Sequence, residues 1–405
     1  MAVVQETGEH ALTSCQAQVW AAGKLAGGAV QRGYYAVLPG ELSPARLADA
    51  VAALVGRHPA LRTRIVRGGG GLRQRTDGAR PALEQVDHPD VPLAEAVAAV
   101  LDEVRVDVSG GPPAYFAIVR ASGGARALVV AVHLAVADGW SRGILLRELD
   151  QFLSTGTFAP APRLAPGEIA DLHEARRTAP EYRRRLAHWA EHLPSRPPGG
   201  AALGGGGTRG GVRHARALAP AVVAGVRAES GRARVSPSAA YLAGVVAAVS
   251  PALSTVCVLT SGRTAEVGST VGVFANHLPL PVDPAAVAEG GLDRLWASMV
   301  AALRNEVPLP ELAEAFPERR AALAAVTQGG VSFQVAPPWP RFTCLPFLPY
   351  HRGEASEVPF SAMAASIREQ AGGTGWDVVH DPSRCDEDRA VGLFAGAAEY
   401  WARWR

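Results

Sequence analysis

The stretch "RALVVAVHLAVADGWSRGILLREL", residues 126–149, constrains the fold more than any other part of the chain. Its first eleven residues form an apolar run of strand length, rich in Val and Ala, that reads as buried. Asp138-Gly139 is a turn signal. From Ser141 to about Leu153 the apolar residues Ile144, Leu145 and Leu149 recur at helical spacing, with Ser141 as the expected helix N-cap. A buried strand feeding directly into an amphipathic helix requires a helix layer against a sheet, so the expected class is α/β, or α+β layers.

The same pattern recurs along the chain. "SPARLADAVAALVGR" opens with a Ser43-Pro44 start signal and sets Leu47, Val51, Leu54 and Val55 on one face, predicting a helix over 44–57. "PAYFAIVR" reads as a second buried strand, and "RGGGG" as a loop. A Pro-rich change of segment at 156–167 precedes a charged helical stretch, "EIADLHEARRTAPEYRRRLAHWAEHL", expected to form two bridging helices. A second break follows at "SRPPGGAALGGGG". Beyond it lie a helix over "VSPSAAYLAGVVAAVSPAL" with a Ser236-Pro237 start, a strand running into a turn over "STVCVLTSGR", an extended segment "VGVFANHLPLPVD" stopped by prolines, a helix "LDRLWASMVAALRNEV", a strand "GGVSFQVAP" and a final amphipathic helix. With 405 residues the chain can bury two cores. The expected division is an N-terminal lobe over 1–165, bridging helices and linker over 166–205, and a C-terminal lobe over 206–405.

Composition narrows the function by exclusion. Forty basic and 38 acidic residues give a net charge of +2 without a basic tract, so nucleic acid is not an expected partner. The four cysteines, Cys15, Cys257, Cys344 and Cys385, show no paired spacing, so neither a metal site nor a disulfide framework is expected. No apolar segment reaches the roughly 18 to 20 residues of a membrane span, and "MAVVQETGEH" lacks the basic start and apolar run of a secretion signal. No membrane partner and a cytoplasmic location are the expectation.

Acyl transfer needs a proton acceptor near the nucleophile and a fixed dipole for the developing oxyanion. A histidine at a strand end, followed by an Asp-Gly turn, is one way to provide the acceptor. On these residues the chain resembles the condensation-domain family of nonribosomal peptide synthetases, within the chloramphenicol-acetyltransferase-like superfamily, whose signature is HHxxxDG. "HLAVADG" matches that signature from His133 to Gly139, with Leu134 in place of the second, catalytic histidine. Other segments follow in the family's order. "LTSCQAQVW" resembles LSxAQxRLW, "RHPALRTRI" resembles RHExLRTxF, and "TSGRTAEVGSTVGVFANHLPLPV" resembles the SGR segment followed by VGxFVNTLPLR. "LAHWAEHL" resembles the family's bridging helix.

The resemblance implies two chloramphenicol-acetyltransferase-like lobes in a V, with a site at their junction. Carrier-protein phosphopantetheine arms would deliver the substrates, and the chain would need no cofactor of its own. It also implies that Asp138 pairs with Arg263 from the other lobe. Leu134 cannot accept a proton. His133, beside it on an extended segment, should face the lobe core. His277 stands where the family has Thr and is a candidate relocated base or substrate contact, beside a plain loop reading. Gly139 is expected to satisfy the turn and to offer its N–H to the substrate tunnel that the resemblance implies, and Trp140 to pack. His58 and Arg62 read as structural. "NEVPLPEL" and "VPFSAM" depart from the family's HQxxPFE and KFDL-like segments.

Two functions follow. One is a condensation-like acyltransferase of natural-product (nonribosomal peptide) biosynthesis acting on a carrier-bound acyl or aminoacyl thioester, with His277, or less directly His133, as the candidate catalytic residue. The other is a noncatalytic module that binds a carrier protein and recruits or orients a synthetase or tailoring enzyme.

Overall fold

The computed structural model describes residues 8–25, 31–68, 71–76, 80–160, 164–195, 211–249, 253–336, 339–350, 355–356, 361–370 and 373–404. All but Ser195 of the break over 195–207, including the glycine run at 204–207, and residues 358–360 of "VPFSAM" fall outside them. Two compact units divide the chain. Unit 1 comprises Met1–Arg177, Arg263–Ala275 and Pro340–Arg352; unit 2 comprises Thr178–Gly262, Asn276–Trp339 and Gly353–Arg405.

In chain order the first half holds β1 (Glu9–Ala11), α1 (Ser14–Leu25), β2 (Gln31–Val37), α2 (Pro44–Arg57), β3 (Arg64–Gly68), β4 (Gly71–Arg75), β5 (Leu83–His88), α3 (Leu93–Glu103), β6 (Ala114–Ala121), β7 (Arg126–His133), α4 (Gly139–Thr155), α5 (Pro166–Thr178) and α6 (Pro180–His192). The second half holds β8 (Gly211–Ala217), α7 (Pro220–Ala233), α8 (Pro237–Ala248), β9 (Thr255–Thr260), β10 (Asn276–Pro281), α9 (Pro284–Ala288), α10 (Leu292–Arg304), α11 (Leu309–Ala315), α12 (Arg320–Gln328), β11 (Val331–Ala336), β12 (Leu348–Pro349), β13 (Ala355–Ser356), β14 (Met363–Gln370), β15 (Gly373–His380) and α13 (Glu387–Ala402).

Unit 1 is built on a five-stranded sheet of order β12-β2-β7-β6-β5, with a separate three-stranded sheet β1-β4-β3. Strand β7 lies in the middle of the larger sheet and is buried on both faces, which is why its sequence is continuously apolar. Ala127, Val129 and Ala131 pack with Val97, Val100 and Leu101 of α3. Helix α2 starts where Ser43 Oγ accepts from Arg46 N at 3.2 Å, and it buries Leu47, Val51, Leu54 and Val55. Helix α4 ends at Gly156, whose φ of 73° is the left-handed cap that glycine adopts without strain.

Unit 2 is built on a seven-stranded mixed sheet of order β10-β9-β11-β14-β15-β8-β13. Its core gathers Trp376, Trp401, Tyr241 and Phe333 around α8, which is buried along most of its length. Gly244 lets the Trp401 indole lie so close that a Cβ there would stand 2.2 Å from Nε1. The extended segment expected to be stopped by prolines contains strand β10, which carries Pro279 within it and ends at Pro281. It lies at the sheet edge, where a missing N–H costs no ladder bond.

The expected lobe boundaries are corrected in two respects. Residues 263–275 and 340–352, assigned above to the C-terminal lobe, belong to unit 1. The presumed bridge is divided, α5 lying in unit 1 up to Arg177 and α6 in unit 2. Buried Asp150 of α4 holds the second returning segment, accepting from Thr343 N at 2.7 Å, Cys344 N at 2.8 Å and Leu345 N at 2.6 Å. Beside it, β12 adds to the sheet edge by pairing Leu348 with Tyr35.

Candidate functional site

The motif turn follows from the elements that flank it. Strand β7 ends at His133, residues 134–136 form a turn, and α4 begins at Gly139. Asp138, with extended backbone, is the helix N-cap: its Oδ1 accepts from Ser141 N at 2.8 Å. Ser141 is therefore not the cap. Its hydroxyl donates to Gly272 O at 2.7 Å and accepts from Gly272 N at 2.9 Å, tying α4 to the returning segment 263–275. Gly139 takes the first helical position rather than a glycine-specific turn conformation.

Arg263 meets Asp138 inside unit 1, which corrects the expectation of a pair joining two lobes. Arg263 Nη2 donates to Asp138 Oδ1 at 3.0 Å and Oδ2 at 3.3 Å, and to Ser141 Oγ at 2.7 Å. Its Nη1 donates to Val267 O at 2.7 Å and Thr270 O at 2.8 Å. The guanidinium carbon sits 4.4 Å from the Phe274 ring centroid. Both charged side chains are only 4% exposed. Burial lowers the Arg263 pKa, against the pull of the Asp138 carboxylate. Asp138 Oδ2 also accepts from Phe274 N at 3.0 Å and Ala275 N at 3.2 Å. A carboxylate occupied by three amides and a guanidinium holds structure; it has no lone pair left for a substrate proton.

The remaining candidates divide between the units. Leu134 is half-buried in the turn and brings no acceptor. His133 is buried, and its Nδ1 accepts from Ala135 N at 3.0 Å, so in the neutral ring the proton resides on Nε2. Trp140 is 43% exposed and donates from Nε1 to Gly268 O at 3.1 Å, so it packs only in part. His277 belongs to unit 2, on β10 opposite Leu259. Its strand neighbours Asn276 and Leu278 are buried, and Leu278 and Leu280 join the core, so His277 takes the sheet face away from the helices. Desolvation pushes its imidazole down to about 4, leaving it neutral near pH 7 but weakly basic. Farther along the same face, Asp377 accepts from Arg213 at 2.6 Å and Arg368 at 2.8 Å.

Two acids of α4 went unnoticed in the sequence. Glu148 accepts from Arg57 Nε and pairs with His58 Nε2, both at 2.8 Å, so the "RH" of "RHPALRTRI" anchors α2 to α4. Asp150 is the second. The available signal was two acids within the stretch that carries the helix's apolar face. Among the described residues no group of three or more His, Cys, Asp and Glu is placed to hold a metal ion, and no helix is long and apolar enough to cross a membrane. Burial pushes the Cys257 thiol up to about 12, which leaves it unreactive.

This architecture, two α/β units with a buried aspartate–arginine lock behind a strand–turn–helix, is the condensation-domain fold. Residues 6–199 match the family model described as Condensation domain. The first condensation domain of the calcium-dependent antibiotic synthetase superposes with a TM-score of 0.74 at 20% identity, over 98% of this chain and 97% of that one. SgcC5 from Streptomyces globisporus superposes with a TM-score of 0.71 at 22% identity, over 92% and 91%. Among curated proteins, the chain is 34% identical over 163 residues to the phosphinothricin tripeptide synthetase PhsC of Streptomyces viridochromogenes, covering 37% of this chain and 15% of PhsC. It is 29% identical over 296 residues to the AMB antimetabolite synthetase AmbB of Pseudomonas aeruginosa, covering 68% of this chain and 23% of AmbB. The chain thus spans a small part of the length of these synthetases.

Proposed function

We propose that the chain is a condensation-type acyltransferase that takes an acyl or aminoacyl group from a carrier-protein thioester and forms an amide or ester without an imidazole at position 134. The observation that carries this reading is the intact lock: Asp138, Ser141 and Arg263 hold the motif turn in place, with Leu134 standing where the resemblance puts the base. A neutral amine attacks a thioester with little base assistance, and positioning by itself lowers the barrier by several kcal/mol. Absence of the base lowers the rate by about 10² to 10⁴. The reaction is slow rather than absent.

A noncatalytic carrier-binding module is the second reading, favoured by the engaged Nδ1 of His133 and the weak basicity of His277. One experiment separates the two. Acyl-loaded carrier protein and a panel of amines and alcohols are incubated with the wild type, Leu134→His and His277→Ala, and products are read by mass spectrometry. SgcC5 was crystallised with an arylethanediol, which is why alcohols join the panel. Product from the wild type, raised in Leu134→His, supports acyl transfer. Carrier binding without product supports the module, and no carrier binding rejects both.

A further inference from the structure

Unit 1 contains a hydroxyl–imidazole contact outside the motif turn. Ser14 Oγ lies 3.0 Å from His173 Nε2, across 159 residues of sequence. The contact is well supported on both sides. Thr13, Ser14, Cys15 and Gln16 form a capping box in which Gln16 N donates to Thr13 Oγ1 at 3.2 Å and Thr13 N donates to Gln16 Oε1 at 3.0 Å. Ser14 is thereby fixed as the first residue of the twelve-residue helix α1, the end at which the helix dipole favours developing negative charge. His173 is carried by α5, one turn beyond Ile169.

Residues beside the contact in sequence reach the motif turn. Thr13, Gln16 and Ile169 line a cavity of about 10 Å³, room for one water, together with Val136 of the motif turn and Gly272 of the returning segment. Cys15 Sγ reaches Phe274 O at 4.0 Å, and Phe274 N donates to Asp138. Ser14 and His173 are both half-buried, so neither is sealed in the core.

We propose that Ser14 and His173 are a nucleophile–base pair that accepts an acyl group from a thioester, supplying from α5 the imidazole that residue 134 lacks; this deepens the acyl-transfer reading and rests on it for the identity of the donor. His173 Nε2 takes the proton as Ser14 Oγ bonds to the thioester carbonyl carbon. The carbon–sulfur bond then breaks, and the thiolate leaves as a thiol with the proton returned from Nε2. The product is a Ser14 ester. An amine attacking that ester passes its proton to Nε2, the amide forms, and the proton restores the Ser14 hydroxyl.

The test uses the full chain with two probes: a fluorophosphonate, which traps activated serines irreversibly, and an acyl-N-acetylcysteamine thioester, whose thiol release is followed by colour. Adducts are located by peptide mass mapping in the wild type, Ser14→Ala and His173→Gln, each checked for an unchanged circular dichroism spectrum and melting midpoint. The expected result is an adduct on Ser14, absent in Ser14→Ala and formed about 100-fold or more slowly in His173→Gln. No adduct on Ser14, or an equal rate in His173→Gln, overturns the proposal. Carrier-dependent product made at the wild-type rate by Ser14→Ala also overturns it while leaving the acyl-transfer reading intact. An adduct on Ser14 without carrier-dependent product upholds the pair and removes that reading.

Discussion

Replacing Asp138 by alanine should destabilise unit 1 by about 4 kcal/mol, a large share of the roughly 5 to 15 kcal/mol that holds a domain folded. The substitution leaves the Arg263 guanidinium, 4% exposed, without its counter-charge, and it orphans the amides of Ser141, Phe274 and Ala275. Breaking a buried ion pair from one side costs about 3 to 5 kcal/mol, and an orphaned buried amide about 1 to 3 kcal/mol. These do not add in full, because water enters once the segment 263–275 loosens. Asp138→Asn keeps the shape and one acceptor oxygen, so it should cost about 2 to 3 kcal/mol. The assay is urea unfolding combined with hydrogen exchange at Ser141, Phe274 and Ala275, which reports the lock directly and does not require the two units to unfold together. Arg263→Ala alone and with Asp138→Ala closes a double-mutant cycle, with an expected coupling of about 2 kcal/mol. A loss below about 1 kcal/mol in Asp138→Ala, unchanged protection of the three amides, or strictly additive single effects would refute the idea that this carboxylate holds the turn.

His277 makes stability depend on pH. Its folded pKa of about 4 lies below the ordinary 6.5, so between those values the unfolded chain binds more protons and stability falls as the pH is lowered. At 1.36 kcal/mol per pH unit the loss approaches about 3 kcal/mol near pH 4 and is absent above pH 6.5; it should be missing in His277→Leu, so the difference in stability between wild type and that variant, read by urea titrations at several pH values, should carry it. Asp150→Ala removes the acceptor of three amides at 343–345; a loss of about 3 kcal/mol and faster exchange of those amides are expected. In unit 2, Gly244→Ala forces the Trp401 indole out of place, which should lower stability by about 1 to 3 kcal/mol and shift the tryptophan emission.

Local signals were enough to place many elements. Ser43-Pro44 and the spacing of Leu47, Val51, Leu54 and Val55 define α2 as it is observed, because capping and amphipathicity act over a few residues. The first eight residues of the apolar run are a strand buried on both faces, its last three form a turn, and the Asp-Gly that follows opens α4. Elsewhere the local signals misled. Ser141 looked like a cap because nothing nearby shows that its hydroxyl is taken by Gly272; of the two prolines expected to stop the extended segment, Pro281 ends β10 whereas Pro279 lies within it, tolerated at the sheet edge.

By itself, then, the sequence determined many of the elements, the α/β layering and the resemblance carried by "HLAVADG", in which Leu134 follows His133. Only the tertiary structure decided that 263–275 and 340–352 return to unit 1, that Asp138 gathers Arg263 across 125 positions, and that Ser14 meets His173. The physical reason is one of range. Caps and periodicities act between neighbours, whereas a buried carboxylate takes its partners from whichever distant segment can satisfy it as the core closes around it.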